Sequence, residues 1–208
     1  MDSIWNNIKE MFYQSKHEKV IFEGILEDGR QECKELRNLC DSVLASVVAN
    51  CSGIYVDNWM RILGQGNEMR NGVLHYNTLF HDDRYLDGMF IIANDIVGGI
   101  YALNLSRFEI EKNMIWYFAP DTLEWENLGM TYSQFLAWTA QGDIGEFYES
   151  MRWDSWRDDC GQVEWNNGCL VYPFLWAAEC NKNTAQKKIV PFDELMKLNF
   201  EYCEKLQS

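Results

Sequence analysis

The sequence predicts an α+β fold: a single antiparallel curved sheet, with helices at the N- and C-terminal parts of the chain. Three observations lead there. Short apolar runs separated by Gly, Asn and Asp fill the middle of the chain, the pattern of strands joined by tight turns. Helical periodicity with capping residues marks both ends. An apolar fraction of 47% and an aromatic fraction of 14% in 208 residues are enough to bury a full core. Three prolines and the lack of a Ser/Gly/Pro-rich tract predict one domain over 1–208, a helical region over 1–42 leading an α+β core over 43–206.

The elements follow in order. Ile4, Ile8, Met11 and Phe12 recur at helical spacing between Ser3 and Gln14, with Ser3 as N-cap. A second helix is predicted from Gly29 to Asp41, with Cys33, Leu36, Leu39 and Cys40 inward. Val43 to Ala49 is rich in β-branched and small apolar residues and predicts a strand. Gly53–Val56 and Trp59–Leu63 predict two short strands or one bent hairpin, ended by Gly64, Gly66 and Asn67. Gly72 to Leu86 predicts a long loop. Gly88–Ala93, Ile100–Leu103 and Met114–Phe118 predict buried strands, the first two joined by the Asn94–Gly99 turn. Leu123 to Leu128 alternates apolar and polar residues, as a half-buried strand does.

The period then changes to helical. Thr131 with Gln134 is a capping box, and Phe135, Leu136 and Trp138 follow near one face. Gly142 ends that helix, and Asp143 with Glu146 caps another carrying Ile144, Phe147, Tyr148 and Met151. Cys169–Tyr172 predicts a late strand stopped by Pro173. Pro191 opens a last helix, Phe192 to Leu206, with Leu195, Leu198, Tyr202 and Leu206 inward.

Charge narrows the function. The net charge is −14, and residues 41–180 carry 20 Asp and Glu against 7 Lys and Arg. Phosphate binding needs a basic face, so nucleic acid and anionic membrane surfaces are not expected partners. A basic protein is, because the field steers it in. No basic and apolar leader opens the N-terminus, and no stretch nears the roughly 20 apolar residues of a membrane helix. A cytoplasmic protein is expected. The seven cysteines (33, 40, 51, 160, 169, 180 and 203) are odd in number, widely spaced and without CxxC, so they predict free thiols rather than a disulfide framework.

Chemical motifs are sparse. Gly64-Gln65-Gly66 and Gly98-Gly99 lack the residues of a phosphate loop and predict turns. His81-Asp82-Asp83 predicts an acidic loop, and neither His17 nor His75 has a partner at metal-ligand spacing. No cofactor or metal is expected. No GxSxG elbow is present. Asp95, Asp121, Glu124 and Glu126 offer a carboxylate pair for hydrolysis, but with 32 acids a chance pair is expected. Five of the nine tryptophans lie between Ile115 and Trp156. Trp125 and Trp138 suit the core. Trp153 and Trp156, beside Arg152 and Arg157, have the Trp/Arg composition of protein interfaces.

Six blocks carry a family likeness: DNWMRILGQG at 57–66, IIANDIVGGIYALN at 91–104, WYFAPDTLEWENLGMTYSQFLAW at 116–138, GDIGEFYESMRWDSW at 142–156, YPFLWAAE at 172–179 and VPFDELMKLN at 190–199. Over Val43 to Leu206 the sequence resembles the mainly bacterial domain-of-unknown-function family 2625. It departs from that family at Val43-Leu44-Ala45-Ser46, where a Pro-Met-Gly-like turn is usual, in the Gly72–Leu86 loop and over the first forty residues. The segment from Asp95 through WYFAPDTLEW to YSQFLAW also resembles the core of SUKH-type domains. That resemblance implies a curved antiparallel sheet and, for many bacterial members, immunity proteins that neutralise toxins.

The expected function is therefore non-enzymatic binding of a basic partner. Asp95 and Asp121 at sheet turns, Trp125, Trp153 and Trp156 as aromatic anchors, and Arg152 beside them are the candidate binding residues. Arg61 is expected to be a structural partner for a buried carboxylate. A small-molecule site, with carbohydrate stacked on Trp, is the alternative, and a carboxylate-dependent hydrolase ranks third.

Overall fold

A computed structural model describes residues 3–24, 42–80, 84 and 86–207. Its centre is an open seven-stranded antiparallel sheet in which spatial order equals chain order. The strands are β1 (Lys19–Glu23), β2 (Cys51–Val56), β3 (Met60–Leu63), β4 (Met89–Asp95), β5 (Ile100–Asn104), β6 (Ile115–Ala119) and β7 (Glu124–Met130). Two further strands, β8 (Asn167–Tyr172) and β9 (Gln186–Pro191), form a separate antiparallel ribbon. The helices are α1 (Ser3–Tyr13), α2 (Ser42–Asn50), α3 (Val73–Leu79), α4 (Tyr132–Gln141), α5 (Ile144–Phe147), α6 (Trp156–Cys160) and α7 (Phe192–Gln207). The α+β class and the antiparallel meander are as expected. The helix expected over Gly29–Asp41 lies outside the described residues.

Register assigns the two faces, because residues paired across strands point the same way. Met60 pairs with Asp95, Ala93 with Tyr101, Tyr101 with Tyr117, and Tyr117 with Glu126. On this face α1, α2 and α4 pack against one another, and Phe135 of α4 lies 5.1 Å from Tyr101. The opposite face carries Arg61, Asn94, Ile100, Phe118 and Trp125. There α7 meets the sheet through Phe200, 5.4 Å from Phe118, and supports the β8–β9 ribbon. Both faces are thus covered, and β4, β5 and β6 are almost continuously buried, as a sheet with two covered faces requires.

Two expectations are corrected. Val43–Ala49 is helical within α2, with Leu44, Ala45, Ser46, Val47 and Val48 all buried. Its residues are so uniformly apolar that no period separates helix from strand, and packing against α1 and α4 decides. The Gly72–Leu86 loop contains α3. The side chain of Asn77 in α3 accepts from Ile91 N and donates to Ile91 O, both at 2.8 Å. It replaces a strand beside the part of β4 that β3 does not reach. The strands β1 and β9 are additions: β1 is a five-residue edge, and β9 (QKKIVP) lacks an apolar alternation.

Arg61 is fully buried. Its partners are not a carboxylate but the Asn167 carbonyl (2.6 Å), the Glu164 carbonyl (3.2 Å) and Asn94 Oδ1 (3.4 Å). It fastens the approach to the β8–β9 ribbon onto the sheet, with Tyr55 and Phe192 flanking the guanidinium.

Candidate functional site

Asp95 ends β4 and is 0% exposed. Its Oδ1 accepts from Val97 N (3.0 Å) and Gly99 N (2.9 Å), which closes the turn into β5. Its Oδ2 accepts from the Tyr117 hydroxyl at 2.7 Å. Gly98 has φ +100°, and a Cβ on Gly99 would collide with Asp95 Oδ2 and the Tyr117 hydroxyl. The two glycines are therefore fixed by the turn and by the carboxylate it encloses. Tyr148 reaches Asp95 from the helix side and shares a 2.5 Å hydroxyl contact with Tyr101. Burial raises the Asp95 pKa, opposed by the bonds from Tyr117, Gly99 and Val97. Burial likewise pushes the phenols of Tyr101, Tyr117 and Tyr148 upward.

Tyr148 also borders a cluster around Arg152. The Arg152 side chain is 7% exposed, and its guanidinium lies 3.9 Å from the Trp156 ring and 5.0 Å from those of Trp59 and Tyr148. Its carboxylate neighbour is Asp57, with Oδ2 at 3.9 Å. His17 bridges the same Asp57 oxygen (3.3 Å) and the Gly142 carbonyl (2.9 Å), tying the chain after α1 to the end of α4. Trp153 is buried, and its Nε1 donates to Asp159 Oδ2 at 2.6 Å. Trp156 is half-buried, 5.5 Å from Trp59, with the Arg157 guanidinium 4.2 Å from its ring.

The third zone is the rim at β7, the last strand of the sheet. Glu124 and Glu126 point to one side of β7 and are exposed. Asp121 precedes them in the turn and accepts from Ser150 Oγ at 3.0 Å. That bond ties the segment after α5, whose Glu149 is exposed, to this turn. Lys182 donates to the Glu149 carbonyl. Among the described residues no cation forms an ion pair with Asp121, Glu124 or Glu126. The Glu126 pKa is raised, first by partial burial and then by the charges of Asp121 and Glu124.

The fold thus gathers Arg152, Trp153 and Trp156 into one cluster and links Asp95 to it through Tyr148. Asp95 and Trp153 are enclosed and have no surface to present. Asp121 sits on the acidic rim. Trp125 turns to the opposite face of the sheet and packs 5.5 Å from Phe118. Trp59, at the centre of the aromatic cluster and 0% exposed, has no signal in the sequence beyond its residue type. Among the described residues no group of three His, Cys, Asp or Glu is placed to hold a metal. No helix among them is long and apolar enough to cross a membrane.

Fold and site define an α+β protein with an acidic sheet edge and an interior polar network walled by aromatic rings. The chain belongs to the family described as Protein of unknown function DUF2625, which matches residues 1–195. The match begins at residue 1 and ends at 195, whereas the expected resemblance covers Val43 to Leu206. The chain is similar to the putative uncharacterized protein YbfG of Escherichia coli (strain K12), 33% identical over 174 residues, 82% of this chain and 78% of that protein. It is also similar to an uncharacterized protein of Haemophilus influenzae, 27% identical over 177 residues, 83% of this chain and 78% of that protein. No solved structure matches the chain.

Proposed function

We propose that this chain is a non-enzymatic binding protein of the SUKH-like immunity type, acting in the cytoplasm and taking a basic protein partner on its acidic rim. One observation carries the proposal. Among the described residues β7 pairs with β6 alone and Asp121, Glu124 and Glu126 form no ion pair, and the repulsion that Asp121 and Glu124 exert on Glu126 is relieved when a partner's Lys or Arg side chains arrive. Trp156, with Arg157 against it, supplies the aromatic and arginine character favoured at interface centres. The excess of acid over base across residues 41–180 favours a basic protein over nucleic acid or an anionic membrane. A toxin that acts on nucleic acid has the complementary charge.

The test is a pull-down from the native host with the wild-type chain and with the triple variant Asp121→Lys, Glu124→Lys, Glu126→Lys, its fold checked by circular dichroism. A stoichiometric basic partner held by the wild type, released by high salt and lost from the variant supports the proposal. A partner held equally by both chains, or no partner at all, rejects it.

A further inference from the structure

Away from the rim, a cavity of about 340 Å³ opens between α6 and strand β9. It is lined by Asp159 and Cys160 of α6, by Gln162, Val163 and Cys169, and by Lys187, Lys188 and Ile189 of β9. Its size lies at the lower end of the roughly 300–1,000 Å³ typical of small-molecule pockets.

The two long walls carry opposite charge. On the α6 side, Asp159 Oδ2 is held by Trp153 Nε1 at 2.6 Å and Ser155 Oγ at 2.8 Å. These bonds lower the Asp159 pKa and keep its carboxylate ionised. On the β9 side stands the ammonium group of Lys187, which shares a face of the ribbon with Ile189 and with Cys169, the partner of Ile189, while Lys188, paired with Leu170, points to the other face. Lys187 is fixed by the Trp153 ring, 4.9 Å from its Nζ, and by the Asn183 carbonyl at 3.5 Å. Residues 181–190 contain three lysines and no acid, a local basic stretch in a chain of net charge −14. Among the described residues Lys187 does not close to ion-pair distance on Asp159, so the opposite charges face each other across open space. The floor is uncharged. Burial raises the thiol pKa of Cys160 and of Cys169, the latter to about 11, so both remain neutral beside Val163 and Ile189.

We infer that this cavity binds a small free amino acid, its carboxylate toward Lys187, its ammonium toward Asp159, and a short apolar side chain on the Cys160–Cys169–Val163 floor. A simple anion meets Asp159 as a like charge, and a simple cation meets Lys187. A zwitterion satisfies both walls at once, and specificity here is the difference between those interactions. This inference is independent of the partner proposed for the rim.

The experiment titrates the full chain, observed by amide NMR, with L-leucine, with isovalerate (no ammonium) and with isoamylamine (no carboxylate). L-Leucine is expected to saturate one site with a Kd below about 1 mM, with shifts centred on residues 159–163, 169 and 187–189. Isovalerate and isoamylamine are expected to bind at least about tenfold more weakly. Lys187→Gln is expected to weaken L-leucine by about tenfold in a chain that keeps its folded spectrum, and Lys188→Gln, on the other face of β9, to leave it unchanged. Asp159→Asn gives a second variant that removes the other charge. Absence of saturable L-leucine binding overturns the inference. So does isovalerate binding as tightly as L-leucine, shifts centred elsewhere, or full affinity in a folded Lys187→Gln chain.

Discussion

Asp95 shows how one residue can organise a fold against its own solvation. A buried carboxylate is costly unless donors surround it, and here a turn and a tyrosine supply them. Its raised pKa fixes the sign of its effect on stability. A carboxyl whose folded pKa lies above the unfolded value contributes fully below that unfolded value, near 3.8, and loses the contribution as pH rises through the folded value. Asp95→Asn keeps the size and an acceptor for the turn while removing the charge. The stability of Asp95→Asn relative to wild type should therefore increase from pH 4 to pH 7 in urea unfolding. A difference that does not change with pH would contradict the assigned environment. The sequence places Asp95 at a turn correctly, but its enclosure depends on Tyr117 and Tyr148, which arrive from distant parts of the chain. Trp156 is different, being half-buried and accessible beside Arg157. Trp156→Ala is expected to weaken partner binding by about 2 kcal/mol while the chain stays folded, as measured by calorimetry alongside circular dichroism.

Among the elements, legibility follows how much local signal each one carries. The strands β2 to β7 are set off by Gly, Asn and Asp turns, and the start of α4 by the Thr131–Gln134 capping box, which forms as expected. These signals are local, so the sequence alone suffices. The helix α2 has none, because an unbroken apolar run fits a buried helix and a buried strand alike. The strand β9 is hidden for the opposite reason: its lysines are polar on both faces, and its pairing with β8 comes from the chain's return path. Helix α3 earns its place through Asn77, whose amide completes β4. Asn77→Ala leaves Ile91 N and O without those partners and should destabilise the fold by about 2 kcal/mol. Denaturant unfolding checks this. A change below about 0.5 kcal/mol would show that the amide is not needed there.

At the scale of the molecule, the acidity of the chain is plain from composition, but its consequence depends on topology. Because the sheet is open and β7 lies last, the charges of Asp121, Glu124 and Glu126 fall on an edge instead of a covered strand. Residue order shows that these acids are close in sequence. It does not show that Ser150 bonds to Asp121, or that Trp125 faces the other way. Nor does it show that Arg152, Trp153 and Trp156 gather on the ring of Trp59, at the turn between β2 and β3. The most direct measurement of the central claim is the affinity of the captured basic partner for wild type and for Asp121→Asn, Glu124→Gln, Glu126→Gln, each at low and high salt. The rim account predicts that the neutralised chain binds at least about tenfold more weakly at low salt and loses most of the salt dependence. Equal affinities with equal salt dependence would contradict it and move the binding surface away from β7.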